Sequence, residues 1–178
     1  MSELILRNRQ RSRFLNLPLF RRIAVVLLEE LLGLERYQLG VHLVAASEMI
    51  CLNRRFLNHD GSTDVITFDY SRDPLETRNP KPETFLHGEI FICLDDAVAQ
   101  ARSFRATWQS ELVRYLAHGA LHLGGYDDLQ PAGRRVMKRE EDRLVRALSL
   151  QFSLKRLAKA GPAPARKSQA ANRTASFP

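Results

Sequence analysis

Two histidines with helical spacing limit the possible folds of this chain more than any other feature. Apolar residues recur at helical intervals through residues 107–123, so this segment is predicted to be a helix. His118 and His122 lie four residues apart in it. Side chains with this spacing leave the same face of a helix, so the two imidazoles can share one metal ion.

The residues after this helix offer a third ligand. Gly125 comes three residues after His122, and a glycine tolerates the positive φ angle that reverses the chain. Asp128 follows three residues later, within reach of an ion held by the helix. The spacing repeats the ligand pattern of zinc proteases in which the chain turns back after the metal-binding helix, and it predicts one zinc ion on His118, His122 and Asp128. Asp127 is the rival third ligand.

The residue after the first histidine bears on the type of hydrolase. Zinc proteases with this pattern place a glutamate there as the general base, and this chain has Gly119. A zinc site is therefore expected, and peptide hydrolysis by that mechanism is not.

Composition and charge bear on the number of domains, the cellular location and the binding partners of the chain. The 178 residues are 44% hydrophobic, which suits one domain with a core. No run of 18 apolar residues and no secretory signal is evident, and Cys51 and Cys93 are expected to be reduced thiols, so a cytoplasmic protein is predicted. The net charge of +7 resides at the ends, because residues 1–22 carry +5, residues 151–178 carry +6 and the middle carries −4. Basic ends attract polyanions such as RNA, although a solubilising role is equally compatible with them.

The apolar pattern predicts alternating strands and helices. Strands are expected at residues 4–6, 37–45, 64–70 and 89–94, and helices at residues 18–32, 47–57, 97–104, 107–123 and 131–148. Ser47 is expected to cap the second helix, with Phe56 facing inward, and Asp95 and Asp96 to cap the third. Residues 71–86 are predicted to be a loop, and residues 151–178 a basic, disordered tail.

Three blocks of this sequence resemble the YbeY family of bacterial rRNA maturation factors. They are HGALHLGGYDD at residues 118–128, the stretch from LNRRF to TDVITF at residues 52–68, and GEI ahead of Cys93 at residues 88–93. The blocks occur in the family's order, and the outline of helices and strands extends the likeness to about residue 150.

The resemblance implies both a fold and an activity. The fold would be α+β, with a small mixed sheet covered by a helical layer, over residues 1–150. The activity would be that of a zinc-dependent endoribonuclease specific for single strands. Its substrate would be ribosomal RNA, at the 3′ end of the small-subunit rRNA, and its setting ribosome biogenesis, with the ribosome as partner and no membrane.

This chain departs from the family pattern at two positions. Asp128 stands where the family usually has a histidine; a carboxylate is a legitimate zinc ligand, but its charge should leave a bound water less acidic. Leu57 stands where many members carry an arginine associated with the RNA cleft. Arg54 and Arg55 are weak candidates to contact RNA in its place, since a solvated helix face explains both.

No side chain identifies itself as the general base. A water at an open fourth zinc position is the expected reactive group, with Asp64 and His59 as weak catalytic candidates. Two other functions remain open from the sequence. One is a ribosome-associated assembly factor with a structural zinc, and the other is a zinc hydrolase of another substrate.

Overall fold

The protein folds around one four-stranded mixed sheet. The computed structural model describes residues 2–71 and 85–161. The strands are β1 (Glu3–Asn8), β2 (Arg36–Val44), β3 (Val65–Asp69) and β4 (Phe85–Cys93). Their order in the sheet is β1-β2-β4-β3, with β1, β2 and β4 parallel and β3 antiparallel to β4. The expected α+β fold with a small mixed sheet is confirmed.

Five α-helices accompany the sheet in the described ranges. They are α1 (Leu17–Val25), α2 (Ala46–Leu52), α3 (Leu94–Ser103), α4 (Trp108–Leu123) and α5 (Pro131–Gln151). The first two continue into π-helical turns at Val26–Leu31 and Asn53–Leu57. Each helix coincides with a predicted segment, and the starts of α4 and α5 agree with the predicted signals. Thr107 caps α4 through its hydroxyl, and a proline occupies the first turn of α5.

Helix α4 is the most deeply buried helix of the layer and carries both candidate histidines. It packs against β3 and β4 on one side and against α3 and α5 on its flanks. Leu112, Val113 and Ala117 are completely buried. Because so much of its surface is covered, α4 holds the backbone of His118 and His122 within the core, while the two rings remain at the surface.

Several local predictions are wrong in detail. Helix α2 begins one residue before Ser47, which is exposed, and Ala45 is its N-cap residue. Phe56 is 51% exposed rather than inward-facing, and Met49 is the buried residue of α2. Helix α3 begins at Leu94, before the two aspartates; Asp95 instead accepts a hydrogen bond from the backbone N–H of Ala46 at 2.7 Å and so caps α2.

The predicted start of the disordered tail, at residue 151, is too early in the chain. After α5 the chain forms a 3-10 turn at Leu154–Leu157, in which Leu157 is completely buried in the main core. Ala158 then pairs with Leu15 in an isolated bridge. Residues 151–161 therefore belong to the folded domain, and apolar burial of Leu157 explains why. The rest of the predicted tail, residues 162–178, and most of the predicted loop, residues 72–84, lie outside the described residues.

No helix within residues 2–71 and 85–161 combines the length and the apolar content that crossing a membrane needs.

Candidate metal centre

The three predicted ligands lie together at the end of α4. His118 Nε2 and His122 Nε2 are 3.1 Å apart, and His122 Nε2 is 3.8 Å from Asp128 Oδ1. One ligand atom from each residue lies within 4.8 Å of the other two. The side chains are 23%, 26% and 38% exposed, respectively, so a substrate can reach them.

The turn that brings Asp128 back to the helix is a Schellman motif. Gly125 has φ +88°, the left-handed conformation that glycine favours. Its N–H donates to the carbonyl of His122 at 3.0 Å, and the N–H of Tyr126 donates to the carbonyl of Leu121 at 3.0 Å. This pair of bonds ends α4 and reverses the chain, as the glycine at this position predicts.

The loop carrying Asp128 is fixed by its contact with α5. Gly133, in the first turn of α5, lies so close to the carbonyl oxygen of Asp127 that a Cβ would come within 2.3 Å of it. The side chain of Asp127 accepts a hydrogen bond from the backbone N–H of Leu129 at 2.9 Å, so it stabilises the turn. Asp128, and not its rival Asp127, belongs to the ligand cluster.

The two imidazoles are oriented by different acceptors. His118 Nδ1 lies 3.0 Å from the Glu141 carboxylate, and His122 Nδ1 lies 3.1 Å from the backbone carbonyl of Tyr126. The carbonyl oxygen of Tyr126 can only accept a hydrogen bond, and so can the carboxylate of Glu141 when it is ionised. Both Nδ1 atoms therefore carry protons, and the lone pairs of the two Nε2 atoms face the cluster. Burial lowers the pKa of His118, but the hydrogen bond with Glu141 and the negative charges of Asp64 and Asp128 outweigh it and raise the pKa.

This arrangement fits a bound cation. Two Nε2 lone pairs that face each other at 3.1 Å repel unless a proton or a metal ion lies between them. Tetrahedral zinc with Zn–N bonds of ~2.0–2.1 Å separates two nitrogen ligands by about 3.3 Å. Two imidazoles and a carboxylate are also a donor set that zinc accepts in catalytic sites. The residues present therefore fit a zinc ion without rearrangement of the helix.

The two weaker catalytic candidates, Asp64 and His59, differ in whether they interact with the candidate ligands. The carboxylate of Asp64 interacts electrostatically with His118, while one of its oxygens accepts from Thr63 and from the N–H of Val65. His59 is exposed in the loop before β3, and its ring makes no hydrogen bond or ion pair with the described residues. Of these two, only Asp64 is linked to the candidate ligands.

The candidate RNA contacts lie on the surface after α2. Arg54 pairs with Asp60 at 2.9 Å, with both side chains well exposed, and the Arg55 guanidinium lies 5.4 Å from the centre of the Phe56 ring. Leu57 is 56% exposed. An exposed ion pair of this kind contributes at most about 1 kcal/mol to stability, so Arg54 remains free to exchange Asp60 for a phosphate.

Glu141 was not found from the sequence, although a signal for it exists. Met137, Glu141, Leu144 and Leu148 recur at helical intervals, and all four are buried. A carboxylate within the apolar face of an amphipathic helix needs a partner, since a buried charge is rarely left unpaired. The spacing therefore indicates that Glu141 is a charged residue on an apolar helix face, but only the fold identifies His118 as its partner.

Gly119 faces the sheet rather than the ligand cluster. A Cβ at this position would lie 2.6 Å from Cγ2 of the buried Ile90 in β4. A glutamate there would enter the packed interface between α4 and β4 and would not reach the ligands. The steric constraint adds to the sequence argument against a protease.

The described residues thus form a small α+β domain with one His-His-Asp cluster. The family model described as Endoribonuclease YbeY matches residues 7–149. The chain belongs to this family, as its sequence motifs indicated.

Individual relatives and a solved structure agree with this assignment. A protein named Endoribonuclease YbeY from Anaeromyxobacter sp. (strain Fw109-5) is 38% identical over 138 residues, which cover 78% of this chain and 67% of the relative. Another protein of that name, from Salinibacter ruber, is 38% identical over 97 residues, which cover 54% of this chain and 61% of the relative. A solution structure of a Thermotoga maritima protein shares the fold, with a TM-score of 0.61 at 23% identity over 91% of this chain and 99% of that one. The chain thus spans about three-fifths of one of these two relatives and two-thirds of the other.

Proposed function

We propose that this chain is a zinc-dependent endoribonuclease that cleaves single-stranded RNA and acts in the cytoplasm on ribosomal RNA during ribosome biogenesis. The observation that carries the proposal is the convergence of His118 Nε2, His122 Nε2 and Asp128 Oδ1 at a partly exposed surface of a YbeY-family domain. A zinc ion held there would supply Lewis-acid activation of water and stabilise charge on a phosphate oxygen. The 3′ end of the small-subunit rRNA is the proposed substrate region, and the ribosome the proposed partner.

Openness of the site favours catalysis over a structural role. Within residues 2–71 and 85–161, three residues form the ligand cluster, and no fourth histidine, cysteine or carboxylate joins it. A structural zinc is normally closed by four protein ligands, whereas a catalytic zinc retains an open position. This difference supports an enzyme rather than an assembly factor whose zinc only stabilises the fold.

The chain's own residues supply orientation and charge around this position. Glu141 and the carbonyl of Tyr126 hold the two imidazoles with their Nε2 atoms towards the ion. Arg134 donates from Nε to the backbone carbonyl of Asp128 at 3.1 Å, which places an exposed guanidinium beside the ligand cluster. We assign Arg134 a phosphate contact beside the ligand cluster. Leu57 provides no charge, and Arg54 and Arg55 are candidates for other contacts with the RNA.

The proposal is tested with one labelled RNA in two forms. Purified protein is incubated with the single strand and with the same strand in a perfect duplex, each with and without a chelator, alongside His118→Ala. Cleavage of the single strand that the chelator and the substitution both abolish is the expected result. Cleavage that persists with the chelator, or full activity in the variant, would remove the enzymatic assignment.

The third ligand should set the pH dependence of cleavage. Asp128 brings a negative charge to the zinc and so makes the site less positive. A water bound in this site should be less acidic than one bound in a site of two histidines and a third neutral ligand. We therefore expect the pH–rate profile of the wild type to lie at higher pH than that of Asp128→His. The measurement is the single-turnover rate across the pH range for both proteins with saturating zinc. An unchanged profile, or a wild-type profile at lower pH, would contradict this role for Asp128.

A further inference from the structure

We propose that Glu141 is a positioning residue for the metal centre, which sets the proton position and the orientation of the His118 ring. Glu141 lies in α5, and its Oε2 is 3.0 Å from His118 Nδ1 in α4. Its side chain is 8% exposed, so water competes little for the carboxylate. The inference rests on the proposed function in one respect, namely that His118 binds a metal ion.

The direction of the hydrogen bond follows from the charge of Glu141. The Arg114 guanidinium and the Lys138 ammonium both contact this carboxyl, and two cations so close to it favour its ionised form. An ionised Glu141 can only accept. His118 Nδ1 must donate, and the lone pair of the neutral ring is confined to Nε2, which faces His122 and Asp128.

Two cations hold the other oxygen of Glu141. Arg114 Nη1 donates to Oε1 at 2.6 Å, and Lys138 Nζ lies 3.3 Å from the same oxygen. Both cations also contact the neighbouring Asp142, at 2.6 Å and 3.3 Å respectively. Because Oε1 is occupied by cations, Oε2 remains available to His118. The same contacts compensate a buried charge that would otherwise be costly.

The two histidines differ in how they are held. His122 depends on a backbone carbonyl that the Schellman turn provides, so no side-chain substitution removes its acceptor. His118 depends on one side chain from another helix. A carboxylate on the far nitrogen of a ligating histidine fixes its tautomer and makes it a stronger ligand, and loss of such a group typically weakens metal binding about 10- to 100-fold.

Asp142 offers a matched control for the substitution Glu141→Gln. Asp142→Asn removes one negative charge from the same pair of cations, one residue away, but Asp142 makes no hydrogen bond to His118. Zinc affinity is measured for the three folded proteins by competition with a chromophoric chelator. We expect Glu141→Gln to bind zinc about 10- to 100-fold more weakly than the wild type, and Asp142→Asn to remain within about threefold. Equal affinity of Glu141→Gln and wild type, or equal weakening in both variants, would overturn the inference.

A second readout needs neither RNA nor zinc. The ¹⁵N chemical shifts of the His118 ring report which nitrogen carries the proton, and they are measured at a pH where the ring is neutral. We expect the Nδ1–H tautomer in the wild type and an increased share of the Nε2–H tautomer in Glu141→Gln. An Nε2–H tautomer in the wild type would overturn the inference even if the variant did not fold. Failure of the wild type to bind zinc would instead overturn the proposed function, and the tautomer measurement would still decide what Glu141 does to His118.

Discussion

Alanine at His122 is expected to lower the rate of RNA cleavage by about 1,000-fold or more. Loss of the metal removes several kcal/mol of transition-state stabilisation, and each 1.4 kcal/mol corresponds to a tenfold rate change. The ring is only partly buried, and its Nδ1 bonds to a backbone carbonyl that the turn positions independently, so the fold should survive its removal. The measurement is the single-turnover rate on single-stranded RNA at saturating zinc, with bound zinc determined in parallel.

His87 provides the control for this substitution. It lies in β4 on the face of the sheet opposite α4, since the next residue, Gly88, faces Leu123 of that helix. His87→Ala removes an imidazole without touching the ligand cluster, so it should cleave RNA within a few-fold of the wild-type rate. A His122→Ala variant that retains wild-type activity, or an equal loss in His87→Ala, would contradict the assignment of the ligands.

Alanine at Gly119 is expected to destabilise the protein by about 1 kcal/mol, although alanine favours helices. Helix propensity alone would stabilise the variant by about 1 kcal/mol. The added Cβ, however, would lie 2.6 Å from Cγ2 of Ile90, a branched and fully buried side chain that cannot move away freely. Overpacking of this kind typically costs about 1–3 kcal/mol, which outweighs the gain in helix propensity. The free energy of unfolding is measured by denaturant titration.

A double-mutant cycle isolates the cause. Ile90→Ala removes the atoms that the new Cβ would meet, so Gly119→Ala should cost much less in that background than in the wild type. A stabilised Gly119→Ala protein would show that α4 and β4 are not closely packed here. Equal costs in the two backgrounds would place the strain elsewhere. Gly119→Glu should give no peptidase activity, because its carboxylate would enter this interface.

The parts of the site that the sequence predicted are those determined by local geometry. Spacing of four along a helix places His118 and His122 together in any fold, and a glycine with φ +88° returns the chain towards them within a few residues. Asp128 could therefore be proposed as a ligand without knowledge of the sheet. The long helices were predictable for the same reason, because their apolar periodicity and end signals are local.

The parts that the sequence did not predict depend on contacts between distant segments. Aspartate is a favoured N-cap residue, and Asp95 lies at the start of α3. It nevertheless caps α2, whose first residue lies 49 positions earlier in the chain. Leu157 falls in the predicted basic tail, but the chain returns to the core beside it through the bridge between Leu15 and Ala158. Glu141 acts on a histidine 23 residues away in another helix. Tertiary packing decides each of these cases, and local preference does not.

We propose that a single metal ion on His118, His122 and Asp128 makes this domain a ribonuclease. Its most direct test is a titration of the stripped wild-type protein with zinc, in which bound metal and the cleavage rate of a single-stranded RNA are measured on the same samples. The rate should be negligible without metal, rise in proportion to occupancy and reach its plateau at one zinc per chain. Full cleavage by the stripped protein, or one tightly bound zinc with no cleavage of single-stranded RNA, would contradict it.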